Sequence, residues 1–368
     1  MNAVEFHNVS KRYGRNTVID SLNMAVEADS FTVIFGAPAS GKSTLLRLLT
    51  GLEKPDNGHI IMRGEDVTAY SPAKRNIGYV PQSFALYPHY QVFDNIAYPL
   101  KLMGYSRQQV APLVESTADR LKISHLLQKK PNQLSGGEKQ RVAIARGIMK
   151  NTNIFVLDDP LTGLDFKLRE QLFDDMREMQ ASLDATFIYT TSDALEVLML
   201  AENVNILDAG KIIEAGAQEA IYSRPDHVRT MSLLGFPEAN LLPGQIDHDS
   251  GQPCCQTKLF TFPVTLNQRA NGHAQVRVGL RPQDIKIAPA ADADLMVCDA
   301  DITLVEDLGG ELVIYLETNG EALTAMVSYA AGRALTEGHT RIGVHPSRFL
   351  LYADADGHNI GQGTVTNG

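Results

Sequence analysis

Tryptophan is absent from this chain of 368 residues, and cysteine occurs only at Cys254, Cys255 and Cys298. Two of the cysteines are adjacent and none lies in a CxxC or Cys/His zinc spacing, so a disulfide framework is not expected and a reducing compartment fits. Long apolar runs are missing too. No stretch approaches the ~20 residues needed to cross a bilayer, and the opening MNAVEFHNVSKRYG lacks the apolar core of a signal peptide. Direct membrane insertion is therefore not expected, and work at a membrane would pass through a partner. Basic residues are also in deficit, with 33 Lys+Arg against 43 Asp+Glu, net −10. A chain this acidic is a poor default binder of nucleic acid or anionic lipid.

The deficit is uneven. Residues 1–235 hold 25 Lys+Arg and 27 Asp+Glu, net −2, whereas residues 236–368 hold 8 and 16, net −8. The length fits about two domains. Texture divides the chain in the same place, with Pro237, Pro243 and Gly244 reading as a linker. Before it, the apolar runs Phe31–Phe35, Asn153–Leu157, Thr186–Thr190 and Asn203–Leu207 alternate with helical stretches, as at 106–130, which predicts an α/β core with a largely parallel sheet. After it, Gln275–Leu280, Asp301–Val305, Leu312–Glu317, Leu323–Val327 and Phe349–Tyr352 read as strands separated by turn residues, a small all-β domain. The Gly- and Asn-rich residues 354–368 are expected to fray.

The first apolar strand runs into Gly36-Ala37-Pro38-Ala39-Ser40-Gly41-Lys42-Ser43-Thr44, followed by a leucine-rich helical stretch. Strand, G-x-x-x-x-G-K-S and helix form a phosphate loop. Its backbone N–H groups and the helix N-terminus hold phosphate oxygens, Lys42 reaches the β- and γ-phosphates, and the Ser43 hydroxyl serves Mg²⁺. Asp158 ends the second buried strand, where a second magnesium-side carboxylate is expected. Further on, Leu134-Ser135-Gly136-Gly137-Glu138-Lys139-Gln140-Arg141 contains the capping box S-x-x-E opening a helix.

Beside a phosphate loop, LSGGEKQR strongly resembles the signature of ABC-type ATPases. The resemblance implies that Ser135, Gly136, Gly137 and Gln140 address the γ-phosphate of ATP held by a second protomer, so that two chains sandwich two ATP molecules. It also implies that Tyr13 stacks on adenine, that Gln82 senses Mg²⁺ and γ-phosphate, and that Phe84–Pro88 lies beside the socket for a membrane subunit's coupling helix. Pro160-Leu161-Thr162-Gly163-Leu164-Asp165 is similar to the D-loop of the dimer interface. Gly279–Ile285 and Val305–Gly309 resemble the regulatory β-domain of maltose- and glycerol-3-phosphate-type importer ATPases. The implied architecture is a P-loop NTPase ABC cassette over residues 1–235, with a RecA-like core, an antiparallel β subdomain and a helical subdomain at about 83–150. An OB/TOBE-like β domain follows over 236–353, then a flexible tail over 354–368.

Two positions depart from the family pattern. Asp159 stands where the family has Glu, and Ser192 where it has His. Asp is one methylene shorter, roughly 1.3 Å of reach, and a misplacement of about 1 Å near the reacting water can cost about 100-fold in rate. Serine cannot carry charge as imidazole does, and no histidine lies between His125 and His227. Asp193 and Glu196 still read as a helix-start capping pair.

The expectation is an ATP- and Mg²⁺-binding subunit of an importer for a carbohydrate or polyol, glycerol among them. It would sit peripherally at the cytoplasmic face of the inner membrane. Its partners would be a second, different ATPase chain, two membrane-spanning permease subunits and, indirectly, a substrate-binding protein, with no nucleic acid. Its own site would hydrolyse slowly, through Asp159, Ser192 and Gln82. The competing readings are an active homodimeric sugar-importer ATPase, a non-transport ABC protein, and an ATP-binding regulatory scaffold.

Overall fold

Phe31–Phe35, Ile154–Asp158 and Thr186–Thr191 are buried at every position, the mark of strands covered on both faces of a parallel sheet. The computed structural model describes residues 1–163, 166–247, 252–270, 274–289 and 294–365, with 166–168 as backbone alone. The chain forms two compact units, Met1–Gln218 and Glu219–Gly368.

In chain order the first unit runs β1 (Asn2–Tyr13), β2 (Asn16–Glu27), β3 (Phe31–Phe35), α1 (Lys42–Thr50), β4 (Asn57–Met62), β5 (Glu65–Asp66), α2 (Pro72–Arg75), β6 (Gly78–Val80), α3 (Val92–Leu102), α4 (Arg107–Arg120), α5 (Gly136–Ile148), β7 (Ile154–Asp158), α6 (Phe166–Leu183), β8 (Thr186–Thr191), α7 (Ala194–Leu200), β9 (Asn203–Asp208) and β10 (Lys211–Ala217). One sheet has the order β10-β9-β3-β8-β7-β6, and a second, antiparallel sheet has the order β2-β1-β4-β5. In the first sheet β3, β6, β7, β8 and β9 pair in parallel and only β10 is antiparallel. Phe31 stacks on Phe187 at 5.6 Å between ring centroids, and Phe155 meets Phe187 at 5.2 Å.

Helix α1 is amphipathic toward this sheet, with Leu45, Leu46, Leu48 and Leu49 fully buried. It ends at Gly51, whose φ of 76° is the left-handed state that closes a helix, and the Gly51 N–H donates to the Leu48 carbonyl. The free carbonyls at that end meet Arg75, a fully buried cation. Arg75 donates to the carbonyls of Leu48 (2.5 Å), Leu49 (2.8 Å), Thr68 (3.1 Å) and Tyr70 (3.3 Å). A positive charge at a helix C-terminus also complements its dipole. Helix α5 is tied to α6 through Asp175, which accepts from Arg141 and, at 3.1 Å, from Lys122.

In the second unit six strands close a barrel in the order Asn240–Asp247, Cys254–Thr257, Thr261–Leu266, Asn359–Gly363, Leu350–Ala353, Gln275–Leu280. A five-stranded antiparallel sheet has the order Ile285–Ile287, Gly338–Val344, Met296–Asp307, Glu311–Thr318, Glu321–Ser328. Buried residues of both pack into one core.

Three sequence expectations change here. The expected tail is not free, because Asn359–Gly363 pairs on both sides within the barrel and Ile360 is fully buried. Pro243 and Gly244 are not a linker but lie inside the first barrel strand. A Cβ on Gly244 would meet Cys255 Sγ at 3.1 Å and Val278 Cγ2 at 3.0 Å, so close packing explains that glycine. The border lies near residue 218 rather than 235, because the helices Gln218–Ser223 and Val228–Leu233 belong to the β unit. Arg281 of the resemblance motif lies over the Tyr222 ring at 4.3 Å and donates to the carbonyls of Tyr222 and Leu234, while Met231 packs on Tyr352.

Replacing Arg75 by Leu strips four carbonyls of their donor inside the first unit. The expected loss is about 3 kcal/mol of stability or more, read as a lower urea midpoint with an unchanged slope.

Candidate nucleotide site

The register of β3, β8 and β7 lays the loop and the acidic residues side by side: Phe35 is level with Thr191, and Thr190 with Asp158. Each strand then turns into a site segment at the same edge of the sheet. The Gly36 N–H donates to the Thr191 carbonyl at 3.3 Å. A Cβ at residue 36 would lie 2.3 Å from the Leu207 carbonyl oxygen, so only glycine fits. Lys42 curls its ammonium across the loop, donating to the carbonyls of Gly36 (2.6 Å) and Ala37 (3.0 Å). Burial lowers its pKa, against the opposing fields of Asp159 and Asp158. Ala39 has a φ of 64°, and the Ser40 hydroxyl, buried in the loop, has no partner among the described residues. Thr44 is buried and accepts from Arg47, whereas Ser43 is exposed.

Asp158 is buried. Its carboxylate accepts from the Thr190 hydroxyl at 3.1 Å and the Tyr79 hydroxyl at 3.3 Å. Desolvation pushes its pKa up, and the hydrogen bonds oppose this. Burial, followed by the Asp158 field, pushes the Tyr79 hydroxyl well up in turn. Sequence reasoning passed over Tyr79 and Thr190, whose spacing carries no signal. Asp159 has a left-handed φ of 45°, and its N–H donates to the Thr190 carbonyl. Gln82 donates through Nε2 to Asp159 Oδ2 at 3.4 Å, so these two expected residues do meet.

Ser192 is exposed at the start of the next turn. Asp193 caps α7, accepting from Leu195 N–H at 2.9 Å. Glu196 is not its capping partner. It is buried, accepts from the Tyr189 hydroxyl at 2.7 Å, and lies 3.9 Å from Arg169. Tyr13 is 41% exposed; its hydroxyl donates to Glu53 and accepts from Arg47 at 3.4 Å.

At the signature, the Ser135 side chain accepts from the Glu138 N–H at 3.3 Å, and Glu138 Oε2 accepts from the Ser135 N–H at 2.7 Å. Ser135 and Gly136 are exposed and Gly137 is buried. Gln140 departs from expectation. It is fully buried inside α5 with both amide atoms unpartnered among the described residues, so it does not face a second protomer. Of the expected D-loop, Leu161 is buried, Thr162 and Gly163 are exposed, and Leu164 and Asp165 lie outside the described residues.

This arrangement fits a magnesium nucleotide. The loop offers a cation, an orphaned hydroxyl and a helix N-terminus to phosphate oxygens. Exposed Ser43 and the carboxylate of Asp158 supply oxygen ligands of the kind magnesium takes, and it usually completes its shell with water and phosphate. No cluster of three or more His, Cys, Asp or Glu side chains suited to a metal exists among the described residues.

On the same unit, Leu52, Ala85, Tyr87, Tyr98, Leu102 and Met103 line an apolar groove of about 650 Å³. Leu52 is 55% and Leu102 71% exposed. No described helix is long and apolar enough to cross a membrane.

A family model described as ABC transporter matches residues 19–162. The maltose/maltodextrin import ATP-binding protein MalK of Photorhabdus laumondii is 32% identical over 358 residues, covering 96% of each chain. The sn-glycerol-3-phosphate import ATP-binding protein UgpC 2 of Rhizobium johnstonii is 34% identical over 345 residues, covering 94% of this chain and 95% of its own. Among solved structures, a post-hydrolysis dimer of the ATP-binding cassette MJ0796 bound to ADP and Pi is similar at TM-score 0.54 and 26% identity. It covers 58% of this chain and 98% of that one.

The Ser135 N–H holds the Glu138 pKa below its ordinary value. A carboxyl lowered on folding stabilises above its unfolded pKa, and that contribution is lost as pH falls through the folded value. Acidification is therefore expected to loosen the start of α5 below pH ~4.5, seen as faster amide exchange at Ser135–Glu138. Glu138→Gln should abolish that pH dependence.

Proposed function

Because the chain belongs to the ABC transporter family, among ATP-binding proteins of the maltose and glycerol-3-phosphate import type, we propose that it is the ATP-binding subunit of an importer for a carbohydrate or polyol, glycerol among them. The observation that carries this reading is the convergence of Lys42, Asp158, Asp159 and Gln82 at one sheet edge, in a chain that also displays an exposed signature cap.

In this reading the loop amides and Lys42 hold the β- and γ-phosphates, and Tyr13 offers its exposed ring to adenine. Magnesium, held through Ser43 and Asp158 with Gln82 beside it, would neutralise charge on the phosphate oxygens. Ser135 and Gly136 present the α5 N-terminus to nucleotide on a second protomer, so ATP binding draws two cassettes together. The apolar groove receives a helix from one of the two permease subunits. The chain thus works as a peripheral subunit at the cytoplasmic face of the membrane, with a substrate-binding protein as an indirect partner.

The catalytic segment is where this chain differs from a fully equipped cassette. Asp159 must orient the attacking water with a side chain one methylene short, and Ser192 offers no charge toward the γ-phosphate. Both changes lie on the hydrolytic side, whereas the binding residues Lys42, Ser43 and Asp158 are all present. We therefore assign a site that holds MgATP and hydrolyses it slowly, paired with a second, different ATPase whose catalytic site this chain's signature completes.

The double variant Asp159→Glu/Ser192→His is expected to raise MgATP turnover of the isolated chain by roughly 10- to 100-fold, with little change in nucleotide affinity. Brisk hydrolysis by the unmodified chain alone, or no gain in the double variant, would sink the impaired-site reading. Lys42→Ala should abolish MgATP binding in equilibrium dialysis, and unchanged binding would remove the nucleotide site altogether.

A further inference from the structure

Two consecutive residues that are not glycine, Phe84 and Ala85, hold left-handed backbone conformations, with φ of 58° and 47°. Such states persist where the surroundings enforce them, and they cluster at functional segments. Beside the backbone bonds Phe84 N–H to Pro81 carbonyl and Ala85 N–H to Ser83 carbonyl, one side chain meets this turn, Arg146 on α5. Its guanidinium donates from Nη2 to the Phe84 carbonyl at 2.8 Å and from Nη1 to the Ala85 carbonyl at 2.6 Å. It also lies 5.5 Å from the centre of the Tyr87 ring. No carboxylate partners Arg146 among the described residues, so its donors serve this turn.

The strained turn sits between two working ends. Gln82, two residues before Phe84, touches Asp159. Tyr87, two residues after Ala85, lines the apolar groove and packs on Tyr98 at 4.6 Å. Arg146 rides on the helix whose first turn is the signature, ten residues or about 15 Å along the axis from Gly136.

We infer that Arg146 is a positioning residue that keeps the Phe84–Ala85 turn wound, and thereby sets Gln82 against Asp159 and Tyr87 in the groove as one unit with the signature helix. A shift of α5 is then transmitted to both ends of the segment, and a helix pressing on Tyr87 is transmitted to α5. Only the identity of the groove's occupant rests on the importer reading.

The test uses the full chain with Arg146→Met, which keeps the side-chain length and removes the donors, and with Arg146→Lys, which keeps one. Arg146→Met is expected to speed amide exchange at residues 84–88 by about tenfold or more. It should also lower kcat for MgATP about tenfold while leaving the MgATP dissociation constant within about twofold; Arg146→Lys should fall between. Adding Ala85→Gly, which adopts the left-handed state without a Cβ penalty, should restore most of the slow exchange and the rate. A role in general stability would not be rescued at that one position. Unchanged exchange at 84–88, or no rescue by the glycine, overturns the inference. If permease-containing vesicles leave turnover unchanged while exchange behaves as expected, the importer reading fails and the positioning role stands.

Discussion

Everything at the site depends on the parallel register of three fully buried strands. β3, β8 and β7 end level with one another, so the chain segments that leave them, Gly36 onward, Ser192 onward and Asp159 onward, emerge at the same edge. The strands bury every side chain, so their neighbours are fixed by packing on two faces and a slip of one residue would misplace the core as well as the site. The phosphate loop does not have to be flexible to find its carboxylates. It is delivered to them by the sheet.

A second regularity concerns buried cations. Lys42, Arg75, Arg146 and Arg281 each direct donors at backbone carbonyls. Burial lowers the pKa of all four. The pieces they hold are a loop, a helix end, a strained turn and a short helix of the β unit, none of which can satisfy its own carbonyls. A planar guanidinium with five donors suits this task, and lysine can do it only where the carbonyls converge on one point, as at Gly36 and Ala37.

The legible part of this molecule was what local spacing encodes. The phosphate loop, the signature capping box and the buried strands were readable because each is a run of adjacent residues with a period or a fixed offset. Asp158 was readable as the end of such a run. The contacts across the sequence were not. Tyr79 and Thr190 reach Asp158 from other strands, and Arg146 reaches back some sixty residues to Phe84. Glu196 looked like a capping residue because its offset from Asp193 is right, but burial gave it to Tyr189. Gln140 belongs to the signature as a string and to the interior as a side chain. Composition also misled at the C-terminus, where glycines read as fraying. A Cβ on Gly361 would lie 2.4 Å from the Thr265 carbonyl oxygen and one on Gly363 2.0 Å from the Pro346 carbonyl oxygen, so they mark tight strand packing instead.

The left-handed backbone at Asp159 also filters which residues can succeed there over evolutionary time. Asp, Asn and Gly enter that conformation most easily, and of the three only Asp carries a carboxylate. The least costly substitutions at this position are therefore Asn and Gly, and both lose the carboxylate. A longer acid there must be accepted by a backbone that favours short side chains. Substitution at residue 159 is thus filtered by backbone conformation before side-chain chemistry is tested at all.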